Sequence, residues 1–141
     1  MKVVSCGFII RYKNELFIVH PTGMNYWSIA KGVADKNEEY FDAAKRELQE
    51  ETSLIYDDLD VKFVKHHGIV PYLKHKDLYL IEVILNKKFD VDNLECTSYY
   101  MNKKKRVMEK EVDKFKWIDF NEYPFTLNIS LITVFDQLFG G

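Results

Sequence analysis

Gly32-Val33-Ala34-Asp35-Lys36-Asn37-Glu38-Glu39-Tyr40-Phe41-Asp42-Ala43-Ala44-Lys45-Arg46-Glu47-Leu48-Gln49-Glu50-Glu51-Thr52-Ser53-Leu54 is the stretch from which the rest of the chain is read. At its centre, Arg46-Glu47-Leu48-Gln49-Glu50-Glu51 sets three carboxylates at spacings of three, four and one in a run of good helix formers. A helix turns by about 100° per residue, so Glu47, Glu50 and Glu51 fall within about a third of its circumference. Phe41, Ala44 and Leu48 form an apolar flank beside that acidic face, and Ala43 and Ala44 allow close approach of another element. The helix start has two candidate caps, Asp35 with Glu38 as a capping box, or Asn37. Its end falls near Thr52 and Ser53.

Upstream, residues 3–10 are β-branched and apolar, Lys13 and Asn14 interrupt them, and residues 16–19 resume the pattern, which predicts a hairpin. Residues 26–29 read as a short extended piece that delivers the chain to Gly32. Downstream, strands are expected over 61–64, 69–70 and 78–85, the last interrupted by Glu82, with a polar connection over 71–77 opened by Pro71. The pattern fades over 86–110, which reads as a long irregular segment. Residues 115–120 alternate as a half-buried strand, residues 121–124 break it, and Leu131, Ile132, Phe135, Leu138 and Phe139 recur at helical spacing. Strands, a helix, more strands and a final helix describe an α/β or α+β sandwich, a mixed sheet covered on two sides.

The chain of 141 residues suits one domain, and 47% hydrophobic with 15% aromatic residues is the composition of an ordered core. A formal net charge of -2 does not point to nucleic acid or to an acidic membrane, so any phosphate affinity must be local. Cys6 and Cys96 fit neither a disulfide scaffold nor a zinc spacing and read as reduced packing residues. No apolar run has the length of a signal peptide or a membrane span, so the expectation is a soluble, cytoplasmic protein.

Three carboxylates on one helical face repel one another. A hard divalent cation such as Mg2+ offsets this directly and bridges to substrate phosphates; a solvated acidic face is the plain alternative. The context bears on the choice. Gly32, Glu38, Arg46, Glu47, Leu48, Glu50, Glu51 and Leu54 resemble, in register, the signature box of the Nudix hydrolases, with Ser53 standing where that family has glycine. Trp27-Ser28-Ile29-Ala30-Lys31-Gly32 is similar to the family's approach to the box, with Ala30 in place of proline, and Glu111 before Phe115-Lys116-Trp117-Ile118 is similar to its acid-then-tryptophan strand. A left-handed cap without glycine costs roughly 1 kcal/mol, so Ser53 bears on geometry more than on chemistry.

The resemblance implies a Nudix-like α/β/α sandwich over residues 1–141 with the box at 32–54. It also implies metal-dependent hydrolysis of a phosphoanhydride in a nucleoside diphosphate derivative. Glu47, Glu50 and Glu51, helped by the Gly32 carbonyl, are then the expected ligands of Mg2+ or Mn2+, with Glu38 and Arg46 as structural support. Glu51 or Glu50 is a candidate base, and Glu111, with Glu109 as fallback, is a candidate acid outside the box. Lys31, Tyr72, Lys74, His75 and Lys76 are expected to meet the substrate, with Tyr26 and Phe17 as further candidates for a base pocket. His66 and His67 read as ordinary hydrogen-bonding residues or as contacts to a polyphosphate. The run Lys103-Lys104-Lys105-Arg106 reads as a solvated loop or as a flap facing phosphate or nucleic acid, with Tyr99 and Tyr100 beside it for stacking. The expected partners are a nucleotide-derived small molecule, with no membrane and no nucleic acid expected, and a homodimer is allowed. A regulator that binds a nucleotide or RNA with little catalysis is the alternative reading.

Overall fold

The structure is a computed structural model that describes residues 2–140. Among the described residues, a six-stranded mixed sheet runs in the order β4 (Val61–Leu73), β5 (Lys76–Leu85), β1 (Val3–Tyr12), β2 (Glu15–Pro21) and β8 (Val112–Asp119), with β3 (Lys31–Val33) paired on β1. Strands β1 (Val3–Tyr12) and β2 (Glu15–Pro21) form the expected hairpin, turning at Lys13 with a φ of 52°. β3 (Lys31–Val33) precedes the helix α1 (Tyr40–Thr52). β4 (Val61–Leu73) and β5 (Lys76–Leu85) form a second hairpin, and β5 runs parallel to β1. β6 (Tyr99–Asn102) and β7 (Val107–Lys110) make a separate two-stranded ribbon, β8 (Val112–Asp119) closes the sheet on β2, and α2 (Ile129–Phe139) ends the fold.

Strand alternation divides the apolar residues between two layers. Phe8, Ile10, Phe17, Val19, Ile81 and Val83 pack with Ala43, Ala44 and Leu48 of α1. Ile9, Leu16, Ile18, Leu78 and Leu80 pack with Leu131, Val134 and Phe135 of α2. Burial on both faces is why β1 and β2 read as unbroken apolar runs. The result is the α/β/α sandwich expected from the sequence.

Several local expectations change. The helix is capped at Glu39, with no side-chain bond, rather than at Asp35 or Asn37. Asp35 and Glu38 close a turn before it, through Glu38 N to Asp35 O at 3.0 Å and Asp35 N to Glu38 Oε1 at 2.9 Å, while Asn37 takes a left-handed φ of 66°. Ser53 does adopt the left-handed cap, φ 70°, with its amide on Gln49 O and its hydroxyl on Glu95 O, so a side-chain bond offsets the missing glycine. Residues 61–64 and 69–70 belong to one long strand that runs through Pro71 to Leu73, leaving Lys74 and His75 as the turn. β4 lies at the sheet edge, where proline removes no ladder bond, and its register shifts break the alternation. Residues 26–29 make isolated bridges, Val19 to Ser28 and Trp27 to Leu127, rather than a strand. Residues 121–124 lie in a 3-10 helix, Phe120–Phe125, with an Asp119–Glu122 capping box. Residues 86–110 are not irregular throughout, because they contain the β6–β7 ribbon. No helix among the described residues is long and apolar enough to cross a membrane.

Candidate active site

Gly32 lies on β3, opposite Cys6 of β1, and the turn after it feeds α1. Ala43, Ala44 and Leu48, all fully buried, seat α1 on the sheet and fix its rotation. That rotation brings Glu47 against Gly32, where a Cβ would overlap the Glu47 carboxylate. Glycine is required here by close approach, not by its backbone angles.

The three box acids sit in different environments. Glu51 is 5% exposed, and its hydrogen bond among the described residues is a long one, 3.4 Å from the Lys31 amide. Burial, and then the charges of Glu47 and Glu111, hold its carboxyl well above the usual range. Burial also raises Glu47, with Arg46 opposing and Glu50 and Glu111 adding to the rise. The Glu50 side chain is 42% exposed.

Arg46 is nearer to these acids than its position about 100° around the helix suggests. Its guanidinium donates from Nε and Nη2 to Glu38 at 3.0 Å each, from Nη2 to Val33 O at 3.1 Å, and from Nη1 to Glu47 at 2.9 Å and Glu50 at 3.3 Å. The long side chain spans the angular gap. It ties the turn before the helix to two of the acids, and the hydrogen bonds from Arg46 hold Glu38 below its ordinary value. No three His, Cys, Asp or Glu side chains among the described residues are gathered as metal ligands, and Arg46 engages both Glu47 and Glu50.

Glu111, between β7 and β8, joins Glu51 and Lys31 in lining a pocket of about 150 Å³ with Pro21 and Ile29. Thr22 pins this corner, its amide donating to Glu111 O at 3.0 Å and its hydroxyl to Lys110 O at 2.6 Å. Glu109 is not brought here: its carboxylate accepts from Asn102 Nδ2 at 2.7 Å within the ribbon. A larger cavity, about 770 Å³, lies instead along the turn before α1, beside Lys2, Val33, Lys36 and Tyr40, and shares no residue with the Glu51 pocket. The smaller pocket is the one lined by Glu51 of the box and by Glu111.

The expected substrate residues divide. Lys31 places its ammonium 5.4 Å from the Tyr72 ring centroid, and burial pushes its pKa down despite Glu51 and Glu47. Lys76 is lowered by burial and then by Lys31, so the two cations face a common region. Tyr72 is half-buried, its hydroxyl accepting from Asn128 Nδ2 at 2.9 Å. Lys74 and His75 are exposed in the β4–β5 turn. Phe17 is 2% exposed among Phe89, Phe115 and Trp117, so it is core and unavailable to a base. His66 pairs with the Tyr79 hydroxyl at 2.8 Å and His67 with Glu82 at 2.9 Å, in keeping with the reading of both as ordinary hydrogen-bonding residues. Asn128 and Thr22 had no sequence signal. The carboxylate of Glu82 did stand out in an apolar strand, and it meets Arg11 at 3.0 Å.

The family model described as the NUDIX domain matches residues 1–138. An uncharacterized 17.7 kDa protein of Enterobacteria phage T4 is 29% identical over 149 aligned positions, covering 99% of this chain and 97% of that protein. The fold is similar to a C. elegans Ap4A hydrolase, solved as a binary complex (TM-score 0.68, 17% identity, 96% of this chain and 95% of that one). It is also similar to the NUDIX domain of Shewanella oneidensis NrtR, solved with ADP ribose (TM-score 0.69, 10% identity, 98% and 86%). With its acidic box in register on α1 and the sheet between two helices, the chain belongs to the Nudix family.

Proposed function

We propose that residues 1–141 act as one Nudix domain that hydrolyses a phosphoanhydride bond in a nucleoside diphosphate derivative, with Mg2+ or Mn2+ held by Glu47, Glu50, Glu51 and the Gly32 carbonyl. The observation that carries this reading is Glu51: a buried, sparsely bonded carboxylate facing Lys31 and Glu111 in a pocket beside the box. A buried carboxylate held above its ordinary pKa by like charges is a group that a cation would stabilise. Oxygen donors without a His or Cys cluster suit a hard divalent ion. When bound, such an ion supplies charge neutralisation on phosphate oxygens and acidifies water.

The chain's own residues supply the rest. Lys31 and Lys76 attract the phosphates, and Tyr72, fixed by Asn128, offers a face beside them. Glu111, exposed at the pocket, accepts the proton of the attacking water. Glu38 and Arg46 hold the turn and the helix in register, so they act through geometry. At about 150 Å³ the pocket is smaller than the roughly 300 Å³ at which sites for whole organic ligands begin, which suits the phosphates alone. The similarity to an Ap4A hydrolase and to a domain that binds ADP ribose supports a nucleotide joined through its phosphates to a second group.

The test is to incubate the protein with Mg2+ and a panel of nucleotide sugars, ADP-ribose, dinucleoside polyphosphates, NADH, FAD and nucleoside triphosphates, and to identify the products. Cleavage between phosphates is expected for at least one of them. No turnover by folded, metal-loaded protein overturns the reading. With the substrate so found, Glu111→Gln is expected to lower kcat by about a hundredfold or more with KM little changed, whereas Glu109→Gln stays near wild type. Steady-state kinetics on the two variants check this.

A further inference from the structure

Glu111 stands exposed at the pocket, and no side chain among the described residues bonds its carboxylate, so its place depends on how its backbone is held. That backbone is fixed on both sides: the Glu111 amide donates to Ser98 O at 3.0 Å, and its carbonyl accepts from the Thr22 amide at 3.0 Å. The Thr22 hydroxyl adds a 2.6 Å bond to the carbonyl of Lys110, the residue before it. Thr22 therefore grips the chain on either side of the peptide that carries the acid.

Thr22 is steady because its turn is closed. Met24 N donates to Pro21 O at 3.1 Å, and Gly23 takes a φ of 81°, which such a turn requires at its third residue. His20 locks the turn from the β2 side: its Nε2 donates to Met24 O at 2.7 Å, and its Nδ1 meets the Asp113 carboxylate of β8. The imidazole also stands edge-on to Trp27, with ring centroids 5.1 Å apart. Asp113 is within its reach because the two strands slip register here: His20 pairs with Lys114 and Pro21 with Val112, which leaves Asp113 as the extra residue of a bulge. The slip falls where Pro21 and Val112 line the pocket, and bulges beside a site re-aim the chain that follows or precedes them.

We infer that His20 and Thr22 are positioning residues for Glu111, a strut that runs from the β8 bulge through the imidazole to the turn, and from the turn to the backbone of the acid. The inference rests on the proposed reading of Glu111 as the group that takes the proton of the attacking water. Neither His20 nor Thr22 lines the pocket, so both act through the place of Glu111 rather than on the substrate. The pairing of β2 with β8 does not need the strut, because the ladder is continuous from Glu15 to His20, and the His20 bond to Met24 and the Thr22 bonds act beyond its end. A general base works within hydrogen-bond reach of the proton it takes, and a displacement of about 1 Å can lower a rate by up to a hundredfold. A carboxylate placed by its backbone alone is sensitive to such a shift.

The test uses the full chain and the best substrate of the panel. Thr22→Val removes the hydroxyl and keeps the shape, and is expected to lower kcat about tenfold with KM little changed, while Thr22→Ser restores most of the rate. His20→Phe keeps a ring beside Trp27 and loses both bonds, with an expected loss in kcat of about tenfold or more; Thr22→Val carries the test alone should that variant not fold. In a Glu111→Gln background each substitution is expected to cost less than about twofold, because the group it places is gone. Equal losses with and without Glu111, or a rise in KM in place of the fall in kcat, overturn the inference. A second readout needs no turnover: in protein carrying 13C-carboxylate glutamate, the nuclear magnetic resonance signal that Glu111→Gln removes is expected to shift in Thr22→Val and His20→Phe and to return in Thr22→Ser. A Glu111 signal unmoved in both variants overturns the inference, whatever the protein hydrolyses. A shifted signal in protein that turns over no phosphoanhydride would sustain the strut and sink the enzyme reading, and turnover with an unmoved signal would do the reverse.

Discussion

Glu51→Gln is expected to lower metal-dependent turnover about a thousandfold while making the metal-free protein more resistant to heat. The two effects share a cause. Glu51 is buried beside Glu47 and Glu111, and its carboxyl is held well above its ordinary value of 4.5, mainly by desolvation. A group whose folded pKa is raised contributes stability that is fully present below its unfolded value and lost as pH rises through the folded one. Gln keeps the side chain neutral at every pH and keeps its shape. The variant and wild type should therefore melt alike below about pH 4 and diverge above it, by a few degrees at neutral pH in the absence of metal. Glu50→Gln, at a half-exposed side chain, should reduce activity with no comparable gain in melting temperature. Thermal melts with chelator across pH, paired with turnover assays in Mg2+, separate these outcomes. Equal loss of activity and stability in Glu51→Gln would contradict the role given to its burial.

Gly32→Ala is expected to remove activity by about a hundredfold or more through a single added carbon. The new Cβ would occupy the place of the Glu47 carboxylate, and β3 is held to β1 opposite Cys6, so the carboxylate must be the group that moves. The displaced atoms are the far end of a flexible side chain, so the move costs little stability and its effect falls on the site. Adding Glu47→Ala removes the displaced carboxylate, so the double variant should melt close to Gly32→Ala alone while staying inactive. An active Gly32→Ala enzyme would show that Glu47 does not need its place beside the glycine.

The sequence carried the site's skeleton further than the fold's edges. A period of 3.6 put Glu47, Glu50 and Glu51 on one face, and the structure adds what periodicity cannot contain: Glu51 turns inward against Lys31, and Glu50 stays half-exposed. Glu111 was placed from its position before an aromatic strand, and tertiary folding does bring it to Glu51. Arg46 shows the limit of angular reasoning, since a long guanidinium reaches across helix angle to Glu47 and Glu50. The helix starts later than its cap residues suggest, since the Glu38 carboxylate is held by Arg46 and its turn closes on Asp35 before the helix begins. The ribbon buries little and so shows no apolar alternation in the sequence. Bulges in the long β4 interrupt its period of two, so its sequence pattern breaks into two pieces.

Binding of Mn2+ to the full chain, followed by electron paramagnetic resonance as free Mn2+ signal lost on titration, tests the carboxylate site most directly. Wild type is expected to take up Mn2+ with a saturable stoichiometry that Mg2+ competes away, and the variant with Glu47, Glu50 and Glu51 all replaced by Gln is expected to show none of that uptake while remaining folded. The same saturable uptake in the triple variant would contradict the assignment of these three glutamates as the metal's ligands.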